Sequence, residues 1–132
     1  MNCLLDTHAF LWAVFSPEKL SRKARAVITD PTNEIFLSSI SLWEISLKYA
    51  LGKLTLENCT PESLVVIARE MGLTLITANA EESASFHQLP RVPHRDPFDR
   101  MLAWQSIQRQ LLLITKDAAL PAYQAAGLKV LR

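Results

Sequence analysis

The feature of this sequence that most constrains its fold is the alternation of short, largely apolar runs with stretches long enough to form helices. Runs of this kind without a polar face are typical of strands buried on both sides, as in parallel sheets. The stretches between them favour helical crossovers. We therefore predict a mostly parallel sheet covered by helices on both faces. Its strands are expected at Cys3–Leu5, Ile35–Leu37, Leu73–Ile76, Leu111–Ile114 and Lys129–Leu131.

Composition indicates a single globular domain spanning residues 1–132, with 49% apolar and 20% charged residues. The net charge of +1 gives no whole-molecule attraction for nucleic acid, so any basic attraction must be local. Two cysteines do not suggest a disulfide framework, and a reducing cytoplasm is expected. The apolar start carries Asp6 and His8 and lacks a basic region, which predicts neither a signal peptide nor a membrane span.

Helix boundaries are marked by capping residues. Residues expected to open helices are Ser21, Ser41, Thr60 before Pro61, Asn79, Asp96 before Pro97, and Asp117. Glu44 follows Ser41 at the spacing of a capping box, and Gly127 is suited to close the last helix. Only the stretch from Leu89 to Arg95 is predicted to be an irregular loop.

Four acidic residues fall where predicted strands give way to helices. Asp6 ends the first strand, Glu44 lies early in the helix after the second, Asp99 lies in the first turn after the irregular loop, and Asp117 follows the fourth strand. Right-handed crossovers between parallel strands bring such positions to one edge of the sheet. Crowded carboxylates repel one another unless a cation joins them, and oxygen ligands favour magnesium or manganese.

Each acid also has a purely structural explanation, because carboxylates at helix starts accept free N–H groups. Glu44 fits as the partner of Ser41 in a capping box, and Asp96 fits as the cap before Pro97. Taken singly, each acid is better explained by capping than by metal binding. Four caps on one edge would leave that edge unusually negative, and this favours a metal site.

Other functions remain open from the residues alone. A receiver-like phosphoacceptor domain expects an acidic pair near the end of the first strand, whereas Thr7 and His8 follow Asp6. A phosphatase with Asp6 as nucleophile would need an acid at the position of His8. A catalytically silent binding module would keep only the fold. No serine or cysteine triad is supported, since the histidines are isolated in the sequence.

Four stretches of the chain, running nearly end to end, resemble the PIN-domain family, in particular the toxin ribonucleases of VapBC toxin–antitoxin systems. The block from His94 to Ala103, which reads H-R-D-P-F-D-R-M-L-A, is the most specific of them. The others are Leu4-Leu5-Asp6-Thr7-His8 with Leu11-Trp12, Ser38-Ser39-Ile40-Ser41-Leu42-Trp43-Glu44-Ile45 with Lys48, and Thr115-Lys116-Asp117.

This resemblance implies a three-layer α/β/α sandwich and an endoribonuclease that depends on one or two magnesium or manganese ions. Metal-activated water would hydrolyse RNA phosphodiesters, with Asp6, Glu44, Asp99 and Asp117 as the catalytic and metal-binding acids. Asp96 and Thr115 would support them. The resemblance also implies a homodimer and an antitoxin that blocks the site. Many relatives carry further acids or an asparagine after the last strand, whereas Ala118 and Ala119 follow Asp117 here, which argues against a firmly held second metal.

Basic residues near the acids suggest contacts with substrate. Lys48 lies four residues after Glu44, which predicts a helical ion pair of a few tenths of a kcal/mol, or else a cation that orients Glu44 or meets a phosphate. Arg95 and Arg100 cluster around the irregular loop with Arg91 and His94. They are candidates for contacts with RNA phosphates, with solvated surface as the alternative for each.

Overall fold

The computed structural model describes residues 1–93 and 95–132; His94, grouped above with the basic residues of the loop, lies outside the described residues. In that part of the chain the strands form a single five-stranded sheet in which every pairing is parallel. Its order is β3-β2-β1-β4-β5. The strands are β1 (Asn2–Leu5), β2 (Glu34–Ser38), β3 (Thr74–Ile76), β4 (Leu112–Ile114) and β5 (Lys129–Leu131). The predicted sheet is confirmed, with strand ends that differ by at most one residue.

Helices connect consecutive strands, as expected for parallel crossovers. The α-helices are α1 (Thr7–Phe15), α2 (Arg22–Thr29), α3 (Ser39–Ala50), α4 (Pro61–Glu70), α5 (Ala80–Ser85) and α6 (Pro97–Arg109). Short 3-10 helices cover Pro17–Lys19, Phe86–Gln88 and Leu120–Ala126. Among the described residues, none of these helices is both long and apolar enough to cross a membrane.

The sheet separates two apolar cores, because successive strand residues point to opposite faces. Cys3 and Leu5 of β1 pack in one core, which includes Phe10 of α1 and Leu64 of α4. Leu4, between them, packs in the other core with residues of α6 and of the last 3-10 helix. Burial on both faces explains why the strands read as continuous apolar runs, and the three-layer α/β/α sandwich is confirmed.

The strand order creates a switch point beside β1. The chain moves from β1 through β2 to β3 on one side, and then crosses to β4 on the other side of β1. In such sheets the crevice outside the carboxyl ends of the two central strands receives the residues that follow them. Asp6 follows β1 and Asp117 lies three residues after β4. The Asp6 N–H donates to the Ile114 carbonyl at 3.0 Å, which ties the two strand ends together.

Two predicted helix starts are wrong. Helix α3 begins at Ser39, and its N-cap is Ser38, whose Oγ accepts from the Ile40 N–H at 3.1 Å. Since β2 ends at Ser38, the chain turns directly into the helix, and both Ser41 and Glu44 are buried inside it. Asp117 does not open a helix either; the last helix is a 3-10 helix that starts at Leu120, next to Pro121. Proline suits a first helical turn, and this fixes the start beyond Asp117.

The other predicted capping residues agree with the structure. Ser21, Thr60, Asn79 and Asp96 each accept a backbone N–H as N-caps of α2, α4, α5 and α6. Gly127 closes the last 3-10 helix with a φ of 103°, in the left-handed region that glycine adopts without strain.

Candidate functional site

Asp6 is a buried carboxylate at the switch point. One oxygen, Oδ1, accepts the Ala9 N–H at 2.7 Å and so caps α1, while the side chain is only 4% exposed. Burial raises the pKa of Asp6, and the nearby Asp117 carboxylate adds to the increase. Hydrogen bonds from Thr115 and from the Ala9 N–H act in the opposite direction. The ionised form of Asp6 is therefore stabilised incompletely by the protein itself.

Three of the four acids line one opening, which we call the acid cleft. It has a volume of about 300 Å³ and is lined by Asp6, Asp99 and Asp117 together with His8, Trp12 and Lys116. Asp99 reaches it from the first turn of α6. The turn that carries Asp117 is fixed at both ends, since the Asp117 N–H donates to Thr115 Oγ1 at 2.9 Å and Asp117 Oδ1 accepts the Ala119 N–H at 2.8 Å.

Glu44, the fourth acid, lies in an adjoining pocket of about 220 Å³. His8 lines both this pocket and the acid cleft, so the two openings are neighbours. Glu44 is 2% exposed and accepts a hydrogen bond from Thr7 Oγ1 at 2.6 Å, while its other oxygen pairs with Lys48. Because Thr7 directly follows Asp6, the end of β1 connects Glu44 to the acid cleft.

Lys48 lies near several acids. The weak helical ion pair with Glu44 that the sequence predicts is therefore only part of its surroundings. Its hydrogen bond to Glu44 is the largest cause that raises the pKa of Lys48. Partial burial opposes this increase, and the charges of Glu44, Asp96 and Asp99 add to it. The Lys48 ammonium group thus supplies positive charge to Glu44 and to the first turn of α6.

Asp96 and Thr115 hold the acids in position. Asp96 Oδ1 accepts the N–H groups of Phe98 at 2.9 Å and of Asp99 at 3.1 Å, so this carboxylate caps α6 and fixes the residue that enters the cleft. Thr115 is buried after β4 and hydrogen-bonds with the Asp6 side chain as well as with the backbone of Asp117. Both residues contact the acids in the way that a supporting role requires.

The two arginines predicted to meet RNA differ in their surroundings. Arg95 is exposed. Arg100 donates to the Pro90 carbonyl at 3.2 Å and to Tyr123 Oη at 2.8 Å, and its guanidinium group lies over the Phe86 ring. Arg100 therefore stabilises the loop before α6, a structural role that the sequence did not reveal.

Thr7 is the residue that sequence reasoning missed. The sequence singles it out only as part of a stretch that resembles the PIN-domain family and as a non-acidic residue directly after Asp6. Its hydroxyl reaches Ser41 Oγ at 3.1 Å and Glu44 Oε1 at 2.6 Å, across 34 and 37 residues of chain. No local pattern indicates a contact of that range; a threonine at the end of a buried strand, next to a candidate ligand, was the available signal.

The donor set fits a hard divalent cation in its chemistry. The candidate ligands are all carboxylates, and Asp6 is desolvated beside Asp117, so that a cation would relieve the cost of ionising both. Among residues 1–93 and 95–132, no group of three or more histidine, cysteine, aspartate or glutamate side chains is drawn together tightly enough to form a ready-made metal cluster. The four acids line two neighbouring openings and do not form a compact cluster.

Comparison with known proteins found one matching family model and several solved structures with a similar fold. The model of the PIN domain matches residues 3–126. VapBC2 from Rickettsia felis, solved with a DNA fragment from its promoter, contains a chain that is 17% identical with a TM-score of 0.68; the match covers 99% of this chain and 98% of that one. VapBC-1 from nontypeable Haemophilus influenzae gives 16% identity and a TM-score of 0.66, with 99% and 97% covered.

FitAcB from Neisseria gonorrhoeae is 20% identical with a TM-score of 0.60, and the match covers 100% of this chain and 97% of that one. At these identities the solved structures establish a shared fold. A search of curated proteins found no match.

Proposed function

Because the chain belongs to the PIN domain family, we propose that it is a nuclease, and specifically a metal-dependent endoribonuclease that acts as the toxin of a toxin–antitoxin pair. The observation that carries this proposal is the convergence of acids from distant parts of the sequence. Asp6, Asp99 and Asp117 line one cleft at the switch point of the sheet, and Glu44 adjoins it.

Magnesium or manganese is the proposed cofactor, as one or two ions, with Asp6, Glu44, Asp99 and Asp117 as ligands. When bound, such an ion makes water more acidic and stabilises the charge that develops on a phosphodiester in hydrolysis. The chain's own residues keep the ligands in place. Thr115 steadies Asp6, Thr7 orients Glu44, and Asp96 holds the turn that carries Asp99.

Lys48, Arg95 and Arg100 are proposed to balance the negative charges of the acids and of the RNA. Lys48 neutralises part of the negative field around Glu44 and Asp99. Arg95 would contact RNA phosphates near the cleft, and Arg100 would support that surface by fixing the loop. Contacts of this kind position a strand and carry no sequence information.

The proposed partners are a cognate antitoxin and a second copy of the chain, in the cytoplasm. VapBC and FitAcB structures, whose fold this chain shares, support the antitoxin. An apolar groove of about 330 Å³, lined partly by Leu11, Phe15 and Leu56, shares His8 and Trp12 with the acid cleft and offers a surface for it. The second copy is proposed to cover the exposed apolar side chains of Trp43 and Leu47 on α3.

Incubation with labelled RNA in magnesium, in manganese and in chelator tests the nuclease proposal. We expect internal cuts only with metal, and Asp99→Asn should slow them by at least about a hundredfold, the scale of loss when one group that stabilises transition-state charge is removed. Glu70→Gln on α4, an exposed acid elsewhere, is the matched control and should cut like the wild type.

Two other outcomes would redirect the assignment. An acid-labile phosphoryl group on Asp6 after incubation with a phosphoryl donor would identify a receiver-like phosphoacceptor domain. RNA that stays intact in both metals, with a well-folded protein, would leave a catalytically silent binding module of the PIN fold.

A further inference from the structure

A cavity of about 450 Å³ lies beside the first turn of α6, and we call it the arginine pocket. Of the described residues, Arg91, Arg95 and Arg100 line it together with Val92. No ion pair joins Arg91 or Arg95 to a carboxylate anywhere in residues 1–93 and 95–132. Guanidinium groups gathered around one cavity repel one another, and an anion bound between them relieves that repulsion.

One wall of the arginine pocket is fixed before any ligand binds. The Arg100 guanidinium group lies 5.4 Å from the centroid of the Phe86 ring and 5.8 Å from that of Tyr123. Its Nη1 atom donates to Tyr123 Oη at 2.8 Å and to the Pro90 carbonyl at 3.2 Å. Tyr123 is almost completely buried, so Arg100 is anchored to the core. A preformed charged wall lowers the entropic cost of binding.

The arginine pocket and the acid cleft flank the same helical turn. Asp99, which lines the acid cleft, and Arg100, which lines the arginine pocket, are consecutive residues of α6. Successive helical residues point about 100° apart around the axis. A polyanionic strand that enters the acid cleft is repelled by its carboxylates, and the adjacent pocket offers the opposite charge.

We propose that the arginine pocket binds a phosphate group of a nucleic-acid strand, next to the phosphodiester that lies in the acid cleft. This inference rests on the proposed nuclease function and assigns a second subsite to it. Arginine forks match phosphate oxygens with paired hydrogen bonds, and cavities of this size hold a phosphate with part of its nucleotide. Arg91 and Arg95 make the contact, and Arg100 supplies the fixed wall.

Binding of a fluorescent single-stranded RNA of about 12 nucleotides, measured by anisotropy in chelator, tests the pocket without any cleavage. The test variant is Arg91→Gln/Arg95→Gln. The matched control, Arg22→Gln/Arg25→Gln, removes the same charge from exposed positions of α2, a helix that packs on the opposite face of the sheet. Thermal unfolding of each variant establishes that it is folded.

The test variant should bind RNA about tenfold more weakly at 0.1 M salt, since charge-assisted hydrogen bonds are lost. Its plot of log affinity against log salt should be shallower by about 0.7 for each phosphate contact removed. The control should stay within about twofold of the wild type. Equal weakening of both variants would overturn the proposal.

The test variant could instead bind RNA as the wild type does and bind a polyglutamate peptide more weakly. That result would also overturn the proposal, and it would assign the pocket to an acidic protein segment. Because the assay is done in chelator, its result is independent of whether the protein cuts RNA. Failure of the nuclease proposal would appear only in the cleavage assay with metal.

Discussion

At the residue scale, the chemistry of the site follows from two buried carboxylates that the protein stabilises in different ways. Glu44 has a cation and a hydroxyl group as partners, Lys48 and Thr7. Asp6 has hydrogen bonds, the charge of His8 and a neighbouring acid, and burial is the largest effect and raises its pKa. The carboxylate whose pKa is raised is the one at the switch point, where a metal ion would have the most to contribute.

The effect of Asp6→Asn on stability tests whether Asp6 is the carboxylate that a metal ion would stabilise most. A raised pKa means that the folded chain holds this proton more tightly than the unfolded chain, so ionisation costs stability as pH rises between the two pKa values. At neutral pH without metal, Asp6→Asn should raise the free energy of unfolding, because the cost of ionising a buried carboxyl group is removed while asparagine still caps α1. It should also lose the stabilisation that manganese gives the wild type. Thermal and urea unfolding measure both.

Asp30→Asn is the control for this effect. Asp30 is exposed, and hydrogen bonds from Thr32 lower its pKa. Its ionised form therefore favours the folded state, and the substitution should destabilise the protein slightly while leaving the response to manganese intact. A less stable Asp6→Asn protein with an unchanged manganese response would contradict the role given to Asp6.

Lys48→Met probes the competition between a side-chain cation and a metal. Among residues 1–93 and 95–132, removing the ammonium group leaves the buried Glu44 carboxylate with the Thr7 hydroxyl as its remaining side-chain partner. This should cost about 1 kcal/mol of stability without metal. Manganese should then bind more tightly and restore the loss, since the competing positive charge is gone. Calorimetric titration measures the affinity. Lys53→Met is the control, because Lys53 lines the same pocket. Weaker manganese binding by the Lys48 variant alone would show that Lys48 does not compete with the metal.

At the element scale, a buried polar network joins the helix that carries Glu44 to the helix that carries Asp99. Ser38, the N-cap of α3, donates to Gln105 Oε1 of α6 at 2.7 Å. Arg109, also on α6, forms a two-pronged pair with Glu82 of α5 at 2.6 and 2.7 Å. Gln105 lies near Glu82 as well, at 3.5 Å. These bonds fix how α3, α5 and α6 pack on the sheet.

Glu82→Gln should therefore destabilise the fold by about 1–2 kcal/mol, because Arg109, whose side chain is 29% exposed, loses its ionic partner. Arg109 is the largest cause of the lowered pKa of Glu82, so the pair stabilises the fold above the unfolded pKa and is lost as pH falls through the folded value. The gap between wild type and variant in urea unfolding should shrink at acid pH. A constant gap across pH would show that the charge of Glu82 is not responsible.

The sequence was a good guide to elements and a poorer one to their exact starts. Strands buried on both faces leave continuous apolar runs, so all five strands were predictable. The start of α3 was not, because Ser38, Ser39 and Ser41 are all acceptable caps and only the end of β2 selects the first. The acids were predictable because Asp6 and Asp117 follow strands and because Glu44 and Asp99 lie near helix starts. The Thr7–Glu44 contact depends on packing between elements, which no local pattern records.

At the scale of the whole molecule, the exposed apolar residues are not evenly distributed. Trp43 and Leu47 on α3 and Leu51, its C-cap residue, are spaced four residues apart, and Trp43 and Leu51 are 60% and 59% exposed. Residues at this spacing share one face of a helix. The Trp43 ring also contacts Phe98, which precedes Asp99. A second copy on this face would lie close to the acid cleft.

We expect the isolated chain to be a dimer, and Trp43→Glu/Leu51→Glu to convert it to a monomer, because four charges, two from each copy, would have to be buried in the interface. Sedimentation equilibrium measures the mass. Val66→Glu, at an equally exposed apolar position of α4, should leave the dimer intact. If Val66→Glu dissociated the dimer and Trp43→Glu/Leu51→Glu did not, the interface would lie on a different surface.

The most direct test of the central claim is anomalous diffraction from crystals soaked in manganese. A manganese peak should appear in the acid cleft, with carboxylate oxygens of Asp6 and of Asp99 or Asp117 at about 2.0–2.3 Å, close to the distances of hard divalent ions. Crystals of Asp99→Asn should lose or weaken that peak. A cleft without a manganese peak, in protein that cuts RNA in the same manganese concentration, would contradict the proposal that these acids hold the catalytic metal.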